Sequence, residues 1–122
     1  MQDSILKEES KVFAKNVIFL CRDLEKDRTA CILARQFLRS GTSIGANIHE
    51  AVYAQSTSDF LSKLEIALKE CHESEYWLDL ILESGFINEE RGKSLLHQCG
   101  TLRRMLVASC RTIKRQKTDS VR

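Results

Sequence analysis

The chain has 122 residues, of which 43% are hydrophobic and 30% are charged. This length fits one domain with one core, and the composition is typical of a globular protein rather than a disordered one. No apolar stretch is long enough to span a bilayer, and the N-terminus alternates charged and apolar residues instead of forming the continuous apolar core of a signal peptide. We therefore expect a cytoplasmic protein with no membrane association.

Charge is divided unevenly along the chain, although the formal net charge is only +2. Residues 65–90 contain eight Asp or Glu and one Lys, whereas residues 91–122 contain nine Lys or Arg and one Asp. This division is compatible with mutual neutralisation, with docking of a protein partner, or with binding of nucleic acid by the basic segment.

Apolar residues at spacings of three and four predict a first amphipathic helix. Its buried face is expected to contain Leu6, Phe13, Val17, Leu20 and Leu24. The polar run from Glu25 to Thr29 ends this pattern, and either Asp27 or Thr29 can cap the second helix.

The second helix contains RSGTSIGANIHEA at residues 39–51, where two glycines and five other small residues fall within thirteen positions. Helical phase continues across this stretch, which predicts one helix from about Thr29 to Gln55. A phosphate-binding loop is disfavoured because no Gly-Lys-Ser/Thr motif follows and no buried strand precedes. We interpret the stretch as a thin helix face that lets a neighbouring helix approach closely, formed by Gly41, Ser43, Gly45 and Ala46.

Two further helices complete the pattern. Capping residues at 56–59 begin the third helix, and Ser84-Gly85 ends it. Its apolar seam has the spacing of a helical bundle and comprises Phe60, Leu64, Ala67, Cys71, Ser74, Leu78 and Ile81. The fourth helix begins at Asn88 with acidic residues that suit its dipole. Its seam comprises Leu95, Cys99, Leu102, Leu106, Ser109 and Ile113.

Short connections between long helices favour antiparallel neighbours. We therefore predict an all-α fold, an up-down-up-down antiparallel four-helix bundle over residues 1–115. Residues 116–122 are polar and basic, and we expect them to form a C-terminal tail.

A polar stripe follows the second helix at spacings of four, four and three, formed by Arg39, Ser43, Asn47 and Glu50. These side chains can bond to one another or reach Lys63, Lys69 or Glu70 on the third helix. We favour a buried polar network that fixes helix register and subunit pairing over a ligand site, because no nucleophile is accompanied by its base. On the third helix, Tyr76 and Trp77 either pack at the edge of the core or anchor a subunit interface.

Five cysteines and three histidines give no pattern typical of a metal site. The cysteine count is odd and the spacings match no disulfide framework or zinc motif, so we expect reduced, mostly buried thiols. A di-iron bundle needs Glu-x-x-His on two helices, but Glu73 follows Glu70 at that spacing, and Tyr76 follows Glu73. We therefore predict no enzymatic activity, no cofactor and no metal.

The basic fourth helix is the main functional candidate. One face, turned away from the seam, contains Arg104, Arg111 and Arg115, and this face is flanked by Arg103, Lys114 and Lys117. The simpler interpretation is a solvated face that balances the acidic third helix. The functional interpretation is contact with nucleic-acid phosphates, repeated in an oligomer so that weak sites add. Aromatic residues do not interleave with these cations, so base-specific stacking is not indicated.

Several motifs resemble those of the bacterial four-helix-bundle proteins, also called 23S rRNA intervening-sequence proteins. They are ARQFLRSGTSIGANI at 34–48 with Glu50-Ala51, then DF at 59–60, KL at 63–64, ALKE at 67–70 and ESEYWL at 73–78, and finally Val107-Ala108-Ser109 with Lys114. The resemblance covers roughly residues 5–115. His49 departs from it, because the family more often has a small, aromatic or aliphatic residue there.

The resemblance implies a cytoplasmic, non-enzymatic bundle that assembles into a homopentameric ring. Related accessory proteins of diversity-generating retroelements use such a ring to bind nucleic acid and a reverse transcriptase. We therefore expect a homo-oligomeric scaffold that binds RNA or DNA through backbone phosphates. The alternative is a protein–protein adaptor ring that does not contact nucleic acid.

Overall fold

A computed structural model describes the backbone of residues 2–121 and the side chains of residues 4–118. It contains four helices: α1 (Gln2–Leu24), α2 (Arg28–Val52), α3 (Thr57–Glu83) and α4 (Glu89–Val121). Each helix packs against the next, and α1 also contacts α4, which closes the bundle. The predicted all-α four-helix bundle is therefore confirmed. Within the described residues, no helix is both long enough and apolar enough to cross a membrane.

Contacts between helices show that neighbours run in opposite directions. On the α2–α3 side, Ser40 pairs with Ser74, whereas the later Glu50 pairs with the earlier Lys63. On the α1–α4 side, Asn16 donates a hydrogen bond to the Gln98 side chain. Residue numbers rise on α2 as they fall on α3, which is the arrangement expected of an up-down-up-down bundle.

Capping residues fix the helix boundaries. Of the two predicted caps for α2, Asp27 is used, and its carboxylate accepts from the Ala30 N–H at 2.9 Å. At the end of α3, Gly85 has a φ of +80°, where a glycine carries no steric penalty. The Gly85 N–H donates to the Leu82 carbonyl and the Phe86 N–H donates to the Ile81 carbonyl, at 3.1 and 3.2 Å. This pair of bonds is a Schellman motif, and it ends α3.

Helix α4 continues to Val121, past the position where we expected the bundle to end. Lys117 lies in this extension, and its Nζ atom donates to the Ser58 hydroxyl at 2.8 Å. The division of the chain into a domain at 1–115 and a tail at 116–122 stays a prediction.

One continuous cluster of apolar side chains forms the core. The seam positions predicted for the first, third and fourth helices are buried, except Phe60, which is half-buried. Phe13 and Phe37 meet edge to face across α1 and α2, with ring centroids 6.3 Å apart. All five cysteines are free: Cys71, Cys99 and Cys110 are buried, and Cys21 and Cys31 are half-buried.

Serine hydroxyls are also buried within this core. The Ser74 hydroxyl donates to the Ser40 hydroxyl at 2.9 Å, and Ser40 donates to the Phe37 carbonyl at 3.3 Å. Ser109 differs, because its hydroxyl is buried and has no hydrogen-bond partner among the described residues. A buried polar group without a partner destabilises the folded state.

The thin face of α2 meets α1. A Cβ atom placed on Gly41 would lie 2.9 Å from Cγ2 of Val17, which is too close for an ordinary contact. At Gly45 the nearest atom is the Ser10 hydroxyl oxygen, at 3.4 Å, and that is an ordinary contact distance. The tighter side-chain contact is therefore at Gly41, although the sequence does not distinguish the two glycines.

Alanine at the two glycines should have opposite effects. Gly41→Ala forces Val17 to move, and overpacking costs about 1 to 3 kcal/mol, which outweighs the gain in helix propensity. Gly45→Ala keeps a gain of up to about 1 kcal/mol in helix propensity. Denaturant unfolding should give a lower free energy of unfolding for the first variant and an equal or higher one for the second. Equal destabilisation by both would contradict the close approach at Gly41.

Alanine at two buried serines provides a second matched pair. Ser109→Ala removes an unpartnered hydroxyl, so we expect the free energy of unfolding to rise. Ser74→Ala removes a buried hydrogen bond worth about 1 kcal/mol and should lower it. The two variants should differ by about 1 to 2 kcal/mol in chemical denaturation. A Ser109→Ala protein less stable than the Ser74→Ala protein would show that Ser109 has a partner.

Candidate functional site

Three exposed arginines follow the outer face of α4, and we call them the arginine stripe: Arg104, Arg111 and Arg115. The stripe spans about 16 Å along the helix at 1.5 Å per residue. The guanidinium of Arg104 donates to the Thr101 hydroxyl at 3.2 Å. Within the described part of the chain, none of the three has a carboxylate oxygen within 4 Å. Their positive charges are therefore available to an anionic partner.

The flanking basic residues are engaged within the chain. Arg103 pairs with Glu75 of α3 at 2.8 Å, and Lys114 pairs with Glu65 of α3 at 3.1 Å. Lys117 bonds to the Ser58 hydroxyl. The structure thus divides the six predicted phosphate-binding residues into the exposed arginine stripe and a set already engaged with α3. Mutual neutralisation, one of the three alternatives compatible with the charge pattern, takes place at Arg103 and Lys114.

A groove of about 540 Å³ lies between α3 and α4, beside the arginine stripe. Its apolar floor consists of Leu68, Val107 and Cys110, and its cationic wall consists of Arg111, Lys114 and Arg115. Glu65 and Thr118 complete the lining. Sequence reasoning missed the floor, because these residues lie at the flank of each seam rather than in it. In the sequence, the floor is indicated by apolar residues one position beyond the seam on each of the two facing helices, α3 and α4.

The polar stripe of α2 forms a network with α3. The Arg39 guanidinium bonds to Glu73 and also pairs with Glu70 at 3.4 Å. The indole N–H of Trp77 donates to the same Glu73 oxygen at 2.9 Å. Glu70 was among the partners predicted for the stripe, whereas Glu73 and Trp77 were not. The i, i+4 spacing of Glu73 and Trp77 in the sequence indicates the contact between them.

Hydrogen bonds from Trp77 and Arg39 lower the pKa of the Glu73 carboxyl. Bonding to Glu73 in turn raises the pKa of the Arg39 guanidinium. Because the folded state favours ionised Glu73, the network stabilises the fold at neutral pH, and this contribution disappears as the pH falls through the lowered pKa. The Arg39 and Glu73 side chains are 51% and 37% exposed, so solvent screens the pair and the contribution is small.

The remaining stripe residues bond locally or to α3. Ser43 donates to the Arg39 carbonyl at 2.6 Å, and the Asn47 amide donates to the Ser43 carbonyl at 2.8 Å. Glu50 pairs with Lys63 at 3.4 Å. We expected a buried network, but in the single chain 51% of the Arg39 side chain and 57% of the Glu50 side chain are exposed. The stripe lies where α2 meets α3 at the surface, because the residues one position away fill the core.

Aromatic side chains are paired at two places on the surface. Tyr76 is exposed and meets half-buried Trp77 edge to face, with centroids 5.1 Å apart. The ring of His49 lies 5.4 Å from that of Tyr53 at the end of α2. These contacts are compatible with either role considered for Tyr76 and Trp77, the edge of the core or a subunit interface.

In the described residues, no group of three or more His, Cys, Asp or Glu side chains could hold a metal ion. The Cys99 thiol donates to the Cys71 carbonyl at 3.5 Å. Interaction with Cys71 and burial raise the pKa of the Cys99 thiol well above its usual range, so it stays protonated. Burial likewise raises the pKa of Cys21 to about 11. Neither thiol has the lowered pKa of a reactive cysteine.

An exposed apolar stripe follows α1 at intervals of seven residues. It consists of Ile5, Val12 and Phe19, with exposed fractions of 52%, 49% and 46%. The Arg22 guanidinium lies 5.3 Å from the centre of the Phe19 ring. Apolar residues at this spacing lie in one line along a helix, which is a surface typical of helix–helix association.

Comparison with known proteins places this bundle in a family. The model of the 23S rRNA-intervening sequence protein family matches residues 2–108. A crystal structure of a protein of unknown function from the S23 ribosomal protein family of Bacteroides thetaiotaomicron VPI-5482 is 40% identical, with a TM-score of 0.87. That match covers 91% of this chain and 99% of the other. The comparison with curated proteins found no similar sequence. The family match and the shared bundle show that the chain belongs to the 23S rRNA-intervening sequence protein family.

Proposed function

We propose that this protein is a non-enzymatic, homo-oligomeric helical scaffold that binds RNA or DNA through backbone phosphates. The observation that carries this proposal is the arginine stripe of α4, three exposed guanidinium groups without a carboxylate within 4 Å among the described residues. Arginine binds phosphate oxygens through two parallel N–H bonds, and it stays charged at every physiological pH. The stripe reads no base edge, so binding is expected to be tolerant of sequence.

Assembly is the second part of the proposal. A single stripe of three arginines makes few phosphate contacts and binds weakly at physiological salt. Repetition of the stripe around a ring of five chains raises the overall affinity without any new contact. The exposed residues Ile5, Val12 and Phe19 on α1 support association, and the free thiols are compatible with a cytoplasmic location.

An adaptor ring that binds a protein instead of nucleic acid is the competing proposal. The pairs Arg103–Glu75 and Lys114–Glu65 favour it, because they show that α4 cations already neutralise carboxylates of this chain. In that case, the arginine stripe binds an acidic protein surface. Nucleic-acid binding and its salt dependence separate the two proposals.

Removal of the arginine stripe should weaken nucleic-acid binding. In Arg104→Gln/Arg111→Gln/Arg115→Gln, we expect weaker binding of a mixed RNA and DNA pool. The slope of log affinity against log salt should become shallower by about one for each phosphate that is no longer bound. Fluorescence anisotropy over a salt titration measures both quantities. The matched control is Lys7→Gln/Lys11→Gln/Lys15→Gln, which removes the same charge from exposed positions on α1.

Two outcomes would contradict the proposal. If the unmodified protein shows no binding at low salt, the adaptor is favoured. If the α1 control lowers affinity as much as the α4 variant does, binding depends on total charge, and the arginine stripe is not the site.

Assembly can be tested by mass in solution. Light scattering at micromolar concentration should give five chains of 14.0 kDa, about 70 kDa. A charge within the apolar stripe should weaken association, so Val12→Glu is expected to lower this mass. Lys11→Glu adds negative charge at an exposed neighbour outside the stripe and should leave it unchanged. A single-chain mass for the unmodified protein would overturn the oligomer, and an unchanged mass for Val12→Glu would exclude the α1 surface as the interface.

A further inference from the structure

The groove between α3 and α4 combines two surfaces that suit different parts of one ligand. Its floor is apolar: Leu68 and Val107 are half-buried, and Cys110 is 5% exposed. Its wall includes Arg111 and Arg115, which also belong to the arginine stripe on the outer face of α4. A molecule that reaches from the stripe into the groove therefore passes from a phosphate-binding surface to an apolar one.

We infer that this groove receives an unpaired base of single-stranded RNA or DNA while Arg111 and Arg115 hold the adjacent phosphates. The inference rests on the proposed nucleic-acid function and names the form of nucleic acid that the site prefers. In a duplex the bases are paired and stacked inside the helix, so their faces cannot reach the floor. A base in a single strand exposes both faces and can leave its neighbours.

Charge within the groove favours a base over a phosphate at the floor. The Glu65 carboxylate lines the groove and pairs with Lys114 at 3.1 Å, so Lys114 is partly neutralised there. A phosphate inside the groove would meet the negative charge of Glu65. Burial raises the pKa of the Cys110 thiol, so the floor carries no charge at neutral pH. Phosphate contact is therefore left to Arg111 and Arg115 at the rim.

The size and lining of the groove also fit this ligand. A volume of about 540 Å³ exceeds that of one base, and the groove is open to solvent, so the polar edge of a base stays hydrated. The residues that line the groove include no aromatic ring, so stacking falls to the guanidinium planes of Arg111 and Arg115. The N–H groups lie at the edge of each plane, so they can bond to a phosphate while the face meets the base. Contact of this kind tolerates any base.

The unmodified protein provides the decisive test. Anisotropy compares a single strand of about ten nucleotides with a strand of equal length whose sugars carry no bases. Both strands present the same phosphates, so the salt dependence should be the same. We expect the abasic strand to bind about two- to fivefold more weakly, because it has no base to fill the groove or to face a guanidinium plane.

A substitution in the apolar floor tests whether the preference for strands with bases arises in the groove. Val107→Gln keeps the charge and places a polar chain in the groove, so it should reduce the difference between the normal and abasic strands. Val52→Gln makes the same change at an exposed valine outside this groove and should preserve the difference. Circular dichroism establishes that each variant is folded. If Val107→Gln does not fold, the strand comparison with the unmodified protein still decides.

The outcomes separate the inference from the function on which it rests. Equal affinity for normal and abasic strands, with ordinary salt dependence, would overturn the inference that the groove binds a base. The proposed phosphate-binding function would still stand. Failure of every nucleic acid to bind at low salt would overturn the proposed function itself. An unchanged preference for bases in folded Val107→Gln would show that bases bind elsewhere.

Discussion

The packing of Val17 of α1 against Gly41 of α2 is the tightest contact found at the thin face of α2, and the fit of these two helices depends on it. Because a Cβ atom at Gly41 would lie within 3 Å of Val17, only glycine permits this contact without a shift of Val17. Phe13 and Phe37 can then meet edge to face in the core. The cost of glycine in a helix, about 1 kcal/mol, is offset by the apolar surface that the close packing buries. With this face of α2 on α1, its opposite flank is turned toward α3.

Polar contacts on that flank determine the register of α3. Ser40 and Ser74 pair inside the core, and Arg39 joins Glu70 and Glu73 at the surface directly beside them. A shift of one residue along α3 would separate both sets together, so the register is strongly specified. The register of α3 then decides which of its carboxylates face α4. Glu75 and Glu65 meet Arg103 and Lys114, and the arginine stripe is left on the outer face.

Sequence predicted the helices well wherever a boundary has a local cause, although α2 ends at Val52 instead of near Gln55 and α4 continues past residue 115. The Asp27 cap, the Gly85 turn and the apolar seams depend on neighbouring residues alone. Features that could not be predicted depend on the distance between helices. Gly41 and Gly45 belong to one motif, yet a Cβ atom would be more crowded at Gly41, because Val17 of α1 lies opposite it. Likewise, six cations on α4 look alike until the positions of the α3 carboxylates are known, and the groove exists only where two seam flanks face each other.

For the proposed binding of nucleic acid, neutralisation by α3 also restricts the direction of approach. Carboxylates of α3 occupy the α4 side of that helix, so a phosphate backbone lying across both helices would meet Glu65 and Glu75. A strand that follows the outer face of α4 meets the arginine stripe and has the groove at its edge. Three cations per chain give little affinity at physiological salt, so function of this kind requires several copies arranged with their α4 faces along one path. The apolar stripe of α1 lies on a different helix, which allows association through α1 without covering the α4 face.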